Sequence, residues 1–324
     1  MKTRWMKLGA VALVAALLPA CGSEGGGGTD KDGPFKPSGT VEMVVGAQPG
    51  GGSDVMARTF VAAAEDLRDG LNVKVSNFDS IEAYSYVKGK PANDQILITA
   101  TYGNVILSPL AEKLAYFWDD FTPLAMFATD PSFLVVRTDS PFNSLADLAS
   151  AAKKKNVTMG VVTAAGVNTV HSAQIAESMD IKLNNVVFES GAEEISSILA
   201  GDVDAALMEP SEFVEQYKAK KVRPIMVMSP DPHPSETFAS VQTATDAGIK
   251  GDIVTQFRSF FGTPDMSDAA KEYWVKVLEE WTKTSSYDDY VTSNDLIPTL
   301  LVGDELTERL TFLEKSAREA LAKK

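Results

Sequence analysis

The sequence predicts an α/β fold, and three of its features support this prediction. Short apolar runs typical of buried strands alternate with amphipathic helical patterns through most of the chain. One such run, residues 41–45, leads through a glycine-rich turn into apolar positions at helical spacing, among them Val55, Met56 and Phe60. Residues 39–324 form a segment long enough to bury one large core or two smaller ones.

The first twenty residues have the organisation of a bacterial lipoprotein signal peptide. A basic start (Lys2, Arg4, Lys7) precedes the apolar run 8–18, which is too short to be a comfortable membrane span. Residues 18–21, Leu-Pro-Ala-Cys, then resemble a lipobox, and Cys21 is the only cysteine, so no disulfide framework is possible. We predict that residues 1–20 are removed and that Cys21 is lipidated. An ordinary secretory signal with a chance cysteine is the alternative.

Residues 21–38 predict a flexible tether. The segment is rich in glycine, proline and charged residues, and it has no apolar pattern. Acyl chains on Cys21 would attach the protein to a membrane without a spanning helix. The predicted location is therefore extracytoplasmic, either in the periplasm or on the outer face of the cytoplasmic membrane.

The charge of the chain argues against one class of partner. Its formal net charge is −14, whereas nucleic-acid binding needs a basic face. A small anionic ligand remains compatible with this charge. Salt screens distant charges over about 8 Å, so local dipoles determine whether an anion binds.

The turn at residues 46–54 is a candidate anion site. Its sequence is Gly-Ala-Gln-Pro-Gly-Gly-Gly-Ser-Asp, and Ser53 or Asp54 can cap the helix that follows. A strand, a glycine turn and a helix N-terminus together bind anions through free backbone N–H groups and the helix dipole. A plain turn is the alternative. The spacing matches neither a dinucleotide fingerprint nor a P-loop.

Three further loops follow predicted strands, at the edge where open α/β sheets bind ligands. Thr101 and Tyr102 offer hydroxyls before a glycine that permits close approach, although Tyr102 can also be a plain surface aromatic. Loop 163–171 carries small and hydroxylated residues and ends at His171, for which packing or capping is favoured over metal binding. Glu209 is expected to face the ligand, with a solvated glutamate as the alternative.

Four segments match the motifs of one known family. Residues 41–58 combine a strand, Pro-Gly-Gly-Gly-Ser-Asp and an Ala-Arg helix. Residues 144–148 read Ser-Leu-Ala-Asp-Leu, residues 199–204 read Leu-Ala-Gly-Asp-Val-Asp, and 222–228 form an apolar strand with an internal Arg-Pro. In this order they resemble the Bug-type (TctC-type) solute-binding proteins of tripartite tricarboxylate transporters.

The resemblance implies a two-lobed, periplasmic-binding-protein-like α/β fold of the type II, Venus-flytrap class, with the ligand cleft between the lobes. Lobe 1 would comprise residues 39–128 plus 250–324, and lobe 2 residues 129–249. The resemblance also implies a monomer that captures a small di-, tri- or aromatic carboxylate. The protein would deliver this ligand to the membrane permease subunits of a tripartite tricarboxylate-type transporter, with no cofactor, metal or catalytic residue.

The ligand-binding residues that the resemblance implies come from every candidate loop. The family holds its carboxylate through backbone amides, hydroxyls and bridging waters. Phe257 stands where the family often has Trp, and Arg258 either supplies a cation or lies outside the cleft. Val167 stands where the family often has Gly, so hydrogen bonding to the ligand would differ there. The predicted set is Gln48, Gly50, Gly51, Gly52, Ser53, Asp54, Thr101, Tyr102, Gly103, Thr163, Ala164, Gly166, Asn168, Thr169, Glu209 and Phe257.

Two other classes of function compete with transport. An enzyme is disfavoured, because the chain has no G-x-S-x-G elbow, no H-E-x-x-H motif and no cysteine outside the lipobox. Asp54 with Glu209 is the one carboxylate pair that suggests catalysis, and the sequence does not define their distance. A sensor-type binding protein that hands its ligand to a signalling partner is the other class. Neighbouring permease genes or a neighbouring histidine kinase gene would distinguish uptake from sensing.

Overall fold

The fold is built on two β-sheets with helices against their faces. The structure is a computed structural model that describes residues 35–322 except Thr163 and Ala165. The predicted signal peptide, Cys21 and most of the predicted tether lie outside the described residues. No helix in the described part of the chain is long and apolar enough to cross a membrane.

The first part of the chain supplies four strands of a six-stranded sheet. A π-helical turn at Gly103–Leu107 and a 3₁₀ turn at Trp118–Asp120 lie among its connections. The regular elements in chain order are β1 (Thr40–Val45), α1 (Gly52–Leu67), β2 (Asn72–Asn77), α2 (Ser80–Lys88), β3 (Ile96–Ala100), α3 (Ser108–Glu112) and β4 (Thr122–Asp130).

The middle of the chain forms the five-stranded sheet, in the strand order β7-β6-β8-β5-β9. β6 is parallel to both of its neighbours, and β5 is antiparallel to both of its own. The elements are β5 (Phe133–Arg137), α4 (Leu145–Ala152), β6 (Thr158–Val162), α5 (Val167–Met179), β7 (Asn184–Phe188), α6 (Gly191–Ala200), β8 (Ala205–Met208), α7 (Pro210–Lys218) and β9 (Val222–Val227).

The last part of the chain returns to the first sheet. Its elements are β10 (Gln256–Gly262), α8 (Asp268–Trp281), α9 (Ser285–Ser293), β11 (Ile297–Val302) and α10 (Gly303–Ala322). The six-stranded order is β11-β4-β10-β3-β1-β2, so β10 fills the place between β3 and β4 and is antiparallel to both. The chain thus connects the sheets twice, through Pro131 and Ser132 after β4 and through residues 228–255 before β10.

Strand alternation explains the two apolar layers of the first sheet. Val41, Met43 and Val45 of β1 pack in one cluster of buried residues, and Val44 packs in the other. Successive side chains of a strand point to opposite faces, so a sheet covered on both faces needs apolar residues at both. The near-continuous apolar run that predicted a buried strand at 41–45 follows from this requirement.

Two turn predictions in the second sheet are confirmed. Ser144 is the N-cap of α4, where its hydroxyl accepts a hydrogen bond from the Asp147 amide at 3.2 Å. The Asp147 carboxylate in turn accepts from the Asn143 amide at 2.9 Å, which satisfies a second backbone donor near the start of the helix. Gly201 ends α6 in the left-handed conformation, with φ +83°.

Candidate ligand-binding site

A pocket of about 450 Å³ is lined by residues that follow strands of both sheets. Four loops, the start of α7 and one face of β10 contribute to it, which places the carboxyl ends of several strands around one space. The lining residues are Gly46, Ala47, Gly52, Ser53, Thr101, Gly103, Asn104, Ser108, Val162, Gly166, Val167, Asn168, Glu209, Ser211, Glu212, Gln256 and Arg258.

Some of the predicted ligand-binding residues line the pocket, and others do not. Predicted residues that line it are Gly52, Ser53, Thr101, Gly103, Gly166, Asn168 and Glu209. Thr163 lies outside the described residues. The predicted residues absent from the lining are Gln48, Gly50, Gly51, Asp54, Tyr102, Ala164, Thr169 and Phe257.

The N-terminus of α1 presents backbone donors to the pocket. Gly51 is the N-cap, and the amides of Gly52 and Ser53 have no hydrogen-bond partner among the described residues. The first amides of a helix lack intrahelical partners, and the helix dipole makes this end partly positive. Gly52 also lies against a cation, because a Cβ built there would be 3.1 Å from Nη1 of Arg258.

Asp54 holds the glycine turn in shape rather than facing the pocket. Its carboxylate accepts hydrogen bonds from the Gly50 amide at 2.9 Å, from Arg58 Nε and from Asn77 Nδ2 at 2.9 Å. The hydrogen bond from Arg58 and the others lower the pKa of Asp54 to about 2, against the opposing effect of burial. Gly50 adopts φ +83°, which favours glycine. Asp54 therefore supports the turn and does not line the pocket, and its contact with a ligand stays a prediction.

Tyr102 and Phe257 also do not line the pocket, and their contact with a ligand stays a prediction. Both side chains are fully buried in the apolar cluster that also contains Phe261. On β10 the side chains alternate, so Phe257 points into the core while its neighbours Gln256 and Arg258 line the pocket. Arg258 therefore lies on the pocket side of β10 and not outside the pocket.

Arg258 of β10 pairs with a residue at the end of β4, where the chain leaves the first sheet. Its guanidinium forms an ion pair with the carboxylate of Asp130, the last residue of β4. The exposed fractions of the two side chains are 13% for Arg258 and 1% for Asp130. Oδ1 of Asp130 and Nε of Arg258 have no hydrogen-bond partner among the described residues. Burial raises the pKa of Asp130, while the charge of Arg258 opposes this effect.

The loop before α5 brings Asn168 to the pocket. The Asn168 side chain accepts from Ser132 Oγ at 2.7 Å and donates to the Leu207 carbonyl at 2.7 Å. These bonds tie α5 to the short connection after β4 and to β8. Gly166 is the N-cap of α5, so a second helix N-terminus faces the same space.

Acidic side chains at the start of α7 form the other side of the pocket, and the sequence analysis identified only one of them. Oε1 of Glu209 accepts from Ser132 Oγ at 3.2 Å, and Oε2 of Glu212 accepts from the Glu209 amide at 3.1 Å. Burial raises the pKa of Glu209 well above its ordinary value, and the charge of Glu212 adds to this. Burial and the charge of Glu194 raise the pKa of Glu212 to about 7.

Glu194 is the most deeply buried of these acids. Its side chain is on α6 and is fully buried, and neither carboxylate oxygen has a hydrogen-bond partner in the described part of the chain. A Cβ built at Gly160 would lie 3.0 Å from Glu194 Oε1, so the small residue on β6 makes room for the carboxyl. Burial, and then the charge of Glu209, raise the pKa of Glu194 to about 9.

His171 has the packing role that the sequence favoured. Its side chain is fully buried, and Nε2 lies 2.7 Å from the carbonyl oxygen of Val254. The contact joins α5 to the segment that leads into β10. Burial lowers the pKa of His171 to about 4.

A larger groove of about 770 Å³ contains none of the predicted site residues. It is lined by α5, residues 250–254 and the end of α10. No helix N-terminus is among the described residues that line it. The smaller pocket is therefore the better candidate, because backbone donors, hydroxyls and buried charges converge there.

Comparison with known proteins identifies the family. The model of the tripartite tricarboxylate transporter family receptor, TctC, matches residues 85–303. The chain belongs to this family. The resemblance inferred from the glycine turn and the later motifs is thereby confirmed, and the chain is a TctC-family solute-binding protein. Membership also supports an extracytoplasmic location and a small-molecule ligand.

Relatives and solved structures agree with this assignment. A UPF0065 protein of Pseudomonas sp. (strain P51) is 29% identical to the TctC-family chain over 238 residues, 70% of each protein. A TctC solute-binding protein from Polaromonas, solved with no ligand, has a TM-score of 0.77 at 20% identity and covers 90% of this chain and 100% of its own. An R. palustris protein solved with adipate has a TM-score of 0.72 at 19% identity, covering 88% and 96%. The predicted two-lobed α/β fold is confirmed.

Proposed function

We propose that this receptor captures a small carboxylate in the 450 Å³ pocket and delivers it to the membrane subunits of a tripartite tricarboxylate-type transporter, without catalysing a reaction on it. The observation that carries the proposal is the N-terminus of α1. The amides of Gly52 and Ser53 are unpaired among the described residues, beside the guanidinium of Arg258. Adipate bound by the R. palustris protein supports the carboxylate class.

The carboxylate would take its hydrogen bonds from groups that the fold already holds in place. The Gly52 and Ser53 amides lie at the N-terminus of α1, which is the positive end of the helix dipole. Thr101 and Gln256 add polar side chains to the lining of the pocket. Gln256 is itself positioned, because its Oε1 accepts from the Gly103 amide at 3.2 Å. Such pre-organised donors bind an anion with little cost of ordering.

Replacement of Gly52 by Val is expected to abolish carboxylate binding while the protein still folds. The branched side chain would cover the amides and push against Arg258. A ligand at 100 times its dissociation constant adds about 2.7 kcal/mol to stability, roughly 5–10 °C in melting temperature for a chain of this size. A thermal-shift panel of di-, tri- and aromatic carboxylates should therefore contain a hit for the wild type and none for Gly52→Val.

Gly51→Val is the comparison variant: Gly51 is the neighbouring residue and belongs to the ligand-binding set predicted from the sequence, but it has φ −74° and does not line the pocket. It should retain the hit. Amides of the same skeletons should fail with every variant, since they lack the charge that the dipole favours. Normal binding by a folded Gly52→Val protein would mean that the carboxylate is anchored elsewhere.

We also propose that the receptor is a lipoprotein, on the basis of the Leu-Pro-Ala-Cys sequence at 18–21. Mass spectrometry of protein extracted from membranes should show a chain that begins at Cys21 and carries acyl groups. Cys21→Ser removes the thiol and should give no acylated chain. An unmodified Cys21 in the mature wild-type protein would contradict this proposal.

A further inference from the structure

The two sides of the pocket differ in charge. The side formed by α1 and β10 presents the helix N-terminus at Gly52 and the guanidinium of Arg258. The side formed by the start of α7 presents Glu209 and Glu212. A ligand between them would have one end near partial and full positive charges and the other end near carboxyl groups.

In the described part of the chain, the side of the pocket formed by α1 and β10 has one cationic side chain, and that side chain is already paired. Arg258 is the one basic residue among the described residues that line the pocket, and its guanidinium is already paired with Asp130. Two glutamates stand against it in the lining. A second negative charge on the ligand would therefore find no unpaired cation in the lining.

A buried acid behind the glutamates adds two carboxyl oxygens that have no hydrogen-bond donor among the described residues. Glu194 is fully buried, and both of its carboxylate oxygens lack a hydrogen-bond partner in the described part of the chain. Its charge acts on Glu212, and the charge of Glu209 acts on Glu194. Oδ1 of Asp130, the last residue of β4, is also buried and unpartnered in that part of the chain. Buried carboxyl groups without partners favour a hydrogen-bond donor or a cation nearby.

We infer that the solute of this receptor carries an ammonium or similar cationic nitrogen group opposite its carboxylate, and that Glu209 and Glu212 bind that group. This inference rests on the proposed function, because the carboxylate end is placed at α1. It narrows the ligand from carboxylates in general to zwitterionic carboxylates.

A plain dicarboxylate fits the same pocket less well. Its second carboxylate would face Glu209 and Glu212, and like charges in a partly desolvated site disfavour binding. A dicarboxylate can be accepted only with the glutamates protonated, a state that the raised pKa values of Glu209 and Glu212 already favour, so its binding would release no protons. An ammonium favours the ionised glutamates instead, and its binding would release protons from the cluster.

Calorimetry with two pairs of probes of matched length tests the inference. The pairs are succinate with 4-aminobutyrate and adipate with 6-aminohexanoate, titrated into the full-length mature receptor at pH 7.5 in two buffers of different ionisation enthalpy. In at least one pair the amino acid should bind at least about tenfold more tightly than the dicarboxylate, a difference of about 1.4 kcal/mol. The amino acid should bind with proton release.

Two variants test whether Glu209 and Glu212 cause the preference for the amino acid over the dicarboxylate. Glu209→Gln and Glu212→Gln keep the size and an acceptor oxygen but remove the charge, and each should reduce the preference about tenfold or more. Glu215→Gln is the control, because Glu215 is an exposed residue of the same helix that pairs with Lys218 at the surface. It should leave the preference unchanged.

The outcomes separate this inference from the proposed function. Tighter binding of the dicarboxylate in both pairs, or an amino-acid preference that survives in both Glu→Gln variants, overturns the inference and leaves carboxylate capture intact. If none of the four probes binds, and the wider carboxylate panel also gives no thermal shift, both the inference and the proposed function fail.

Discussion

Glu194→Gln is expected to make the receptor more stable above neutral pH and to flatten the fall of its stability with pH. Burial and the charge of Glu209 raise the pKa of Glu194 to about 9 from an ordinary value of 4.5. A carboxyl with a raised pKa in the folded chain binds its proton more tightly when folded. Its contribution to stability is therefore fully present below pH 4.5 and is lost as the pH rises toward 9.

The size of this effect follows from the linkage relation. Between its ordinary pKa and its raised pKa, each such group lowers the free energy of unfolding by about 1.4 kcal/mol for every unit that the pH rises. Glu194 alone therefore accounts for a loss of several kcal/mol between about pH 5 and pH 8. Glu212, with a pKa raised to about 7, adds to the slope below neutral pH. Urea denaturation at a series of pH values measures the slope directly.

The control for Glu194 is Glu189→Gln, since Glu189 is exposed and lies five residues earlier in the turn before α6. It should reproduce the wild-type profile. Glu194→Gln should match the wild type near pH 5 and exceed it at pH 8. Identical slopes for Glu194→Gln and the wild type would show that this carboxyl does not titrate as the buried site implies.

Arg258→Met is expected to lower the free energy of unfolding by about 3–5 kcal/mol, because it leaves the Asp130 carboxylate buried without its partner. The exposed fraction of the Asp130 side chain is 1%, so water cannot replace the guanidinium. Denaturant unfolding of the purified variant gives the value. Ligand binding should also be lost, since Arg258 lines the pocket.

The double variant Asp130→Asn with Arg258→Met separates pairing from packing. With the charge of Asp130 removed, most of the lost stability should return, whereas binding should not. Arg137→Met is a surface control, because Arg137 pairs with the exposed Asp139 and such pairs contribute about 0–1 kcal/mol. A double variant no more stable than Arg258→Met would indicate that the arginine acts through its packing.

Local patterns predicted the strands, the glycine turn and several caps, because each depends on neighbouring residues. The 41–45 run, the N-cap at Ser144 and the left-handed Gly201 are of this kind. β11 was not predicted. Its side chains are half-buried or exposed and Pro298 lies within it, as edge strands allow, so it lacks a continuous apolar run.

The site was harder to predict where it depends on which face of an element turns inward. Phe257 and Arg258 are adjacent, and only the register of β10 against β3 and β4 decides which of them reaches the pocket. Glu194 and Glu212 lie on helices whose sequences are typical of solvated faces. Their burial arises from packing against β6 and the start of α6, where Gly160 and Gly191 leave space for the two carboxyl groups.

The position of β10 between β3 and β4 has a consequence for how the chain folds. β3 and β4 are complete by residue 130, but the strand that joins them begins at residue 256, after the whole second sheet. Until β10 and β11 are present, one edge of β3 and both edges of β4 have no partner in the sheet, and unpaired edges favour association with other chains. Closing so long a loop also slows folding. The first sheet is therefore the last to be completed although it is the first to be synthesised, and a nascent or truncated chain that stops before residue 256 would be prone to aggregate.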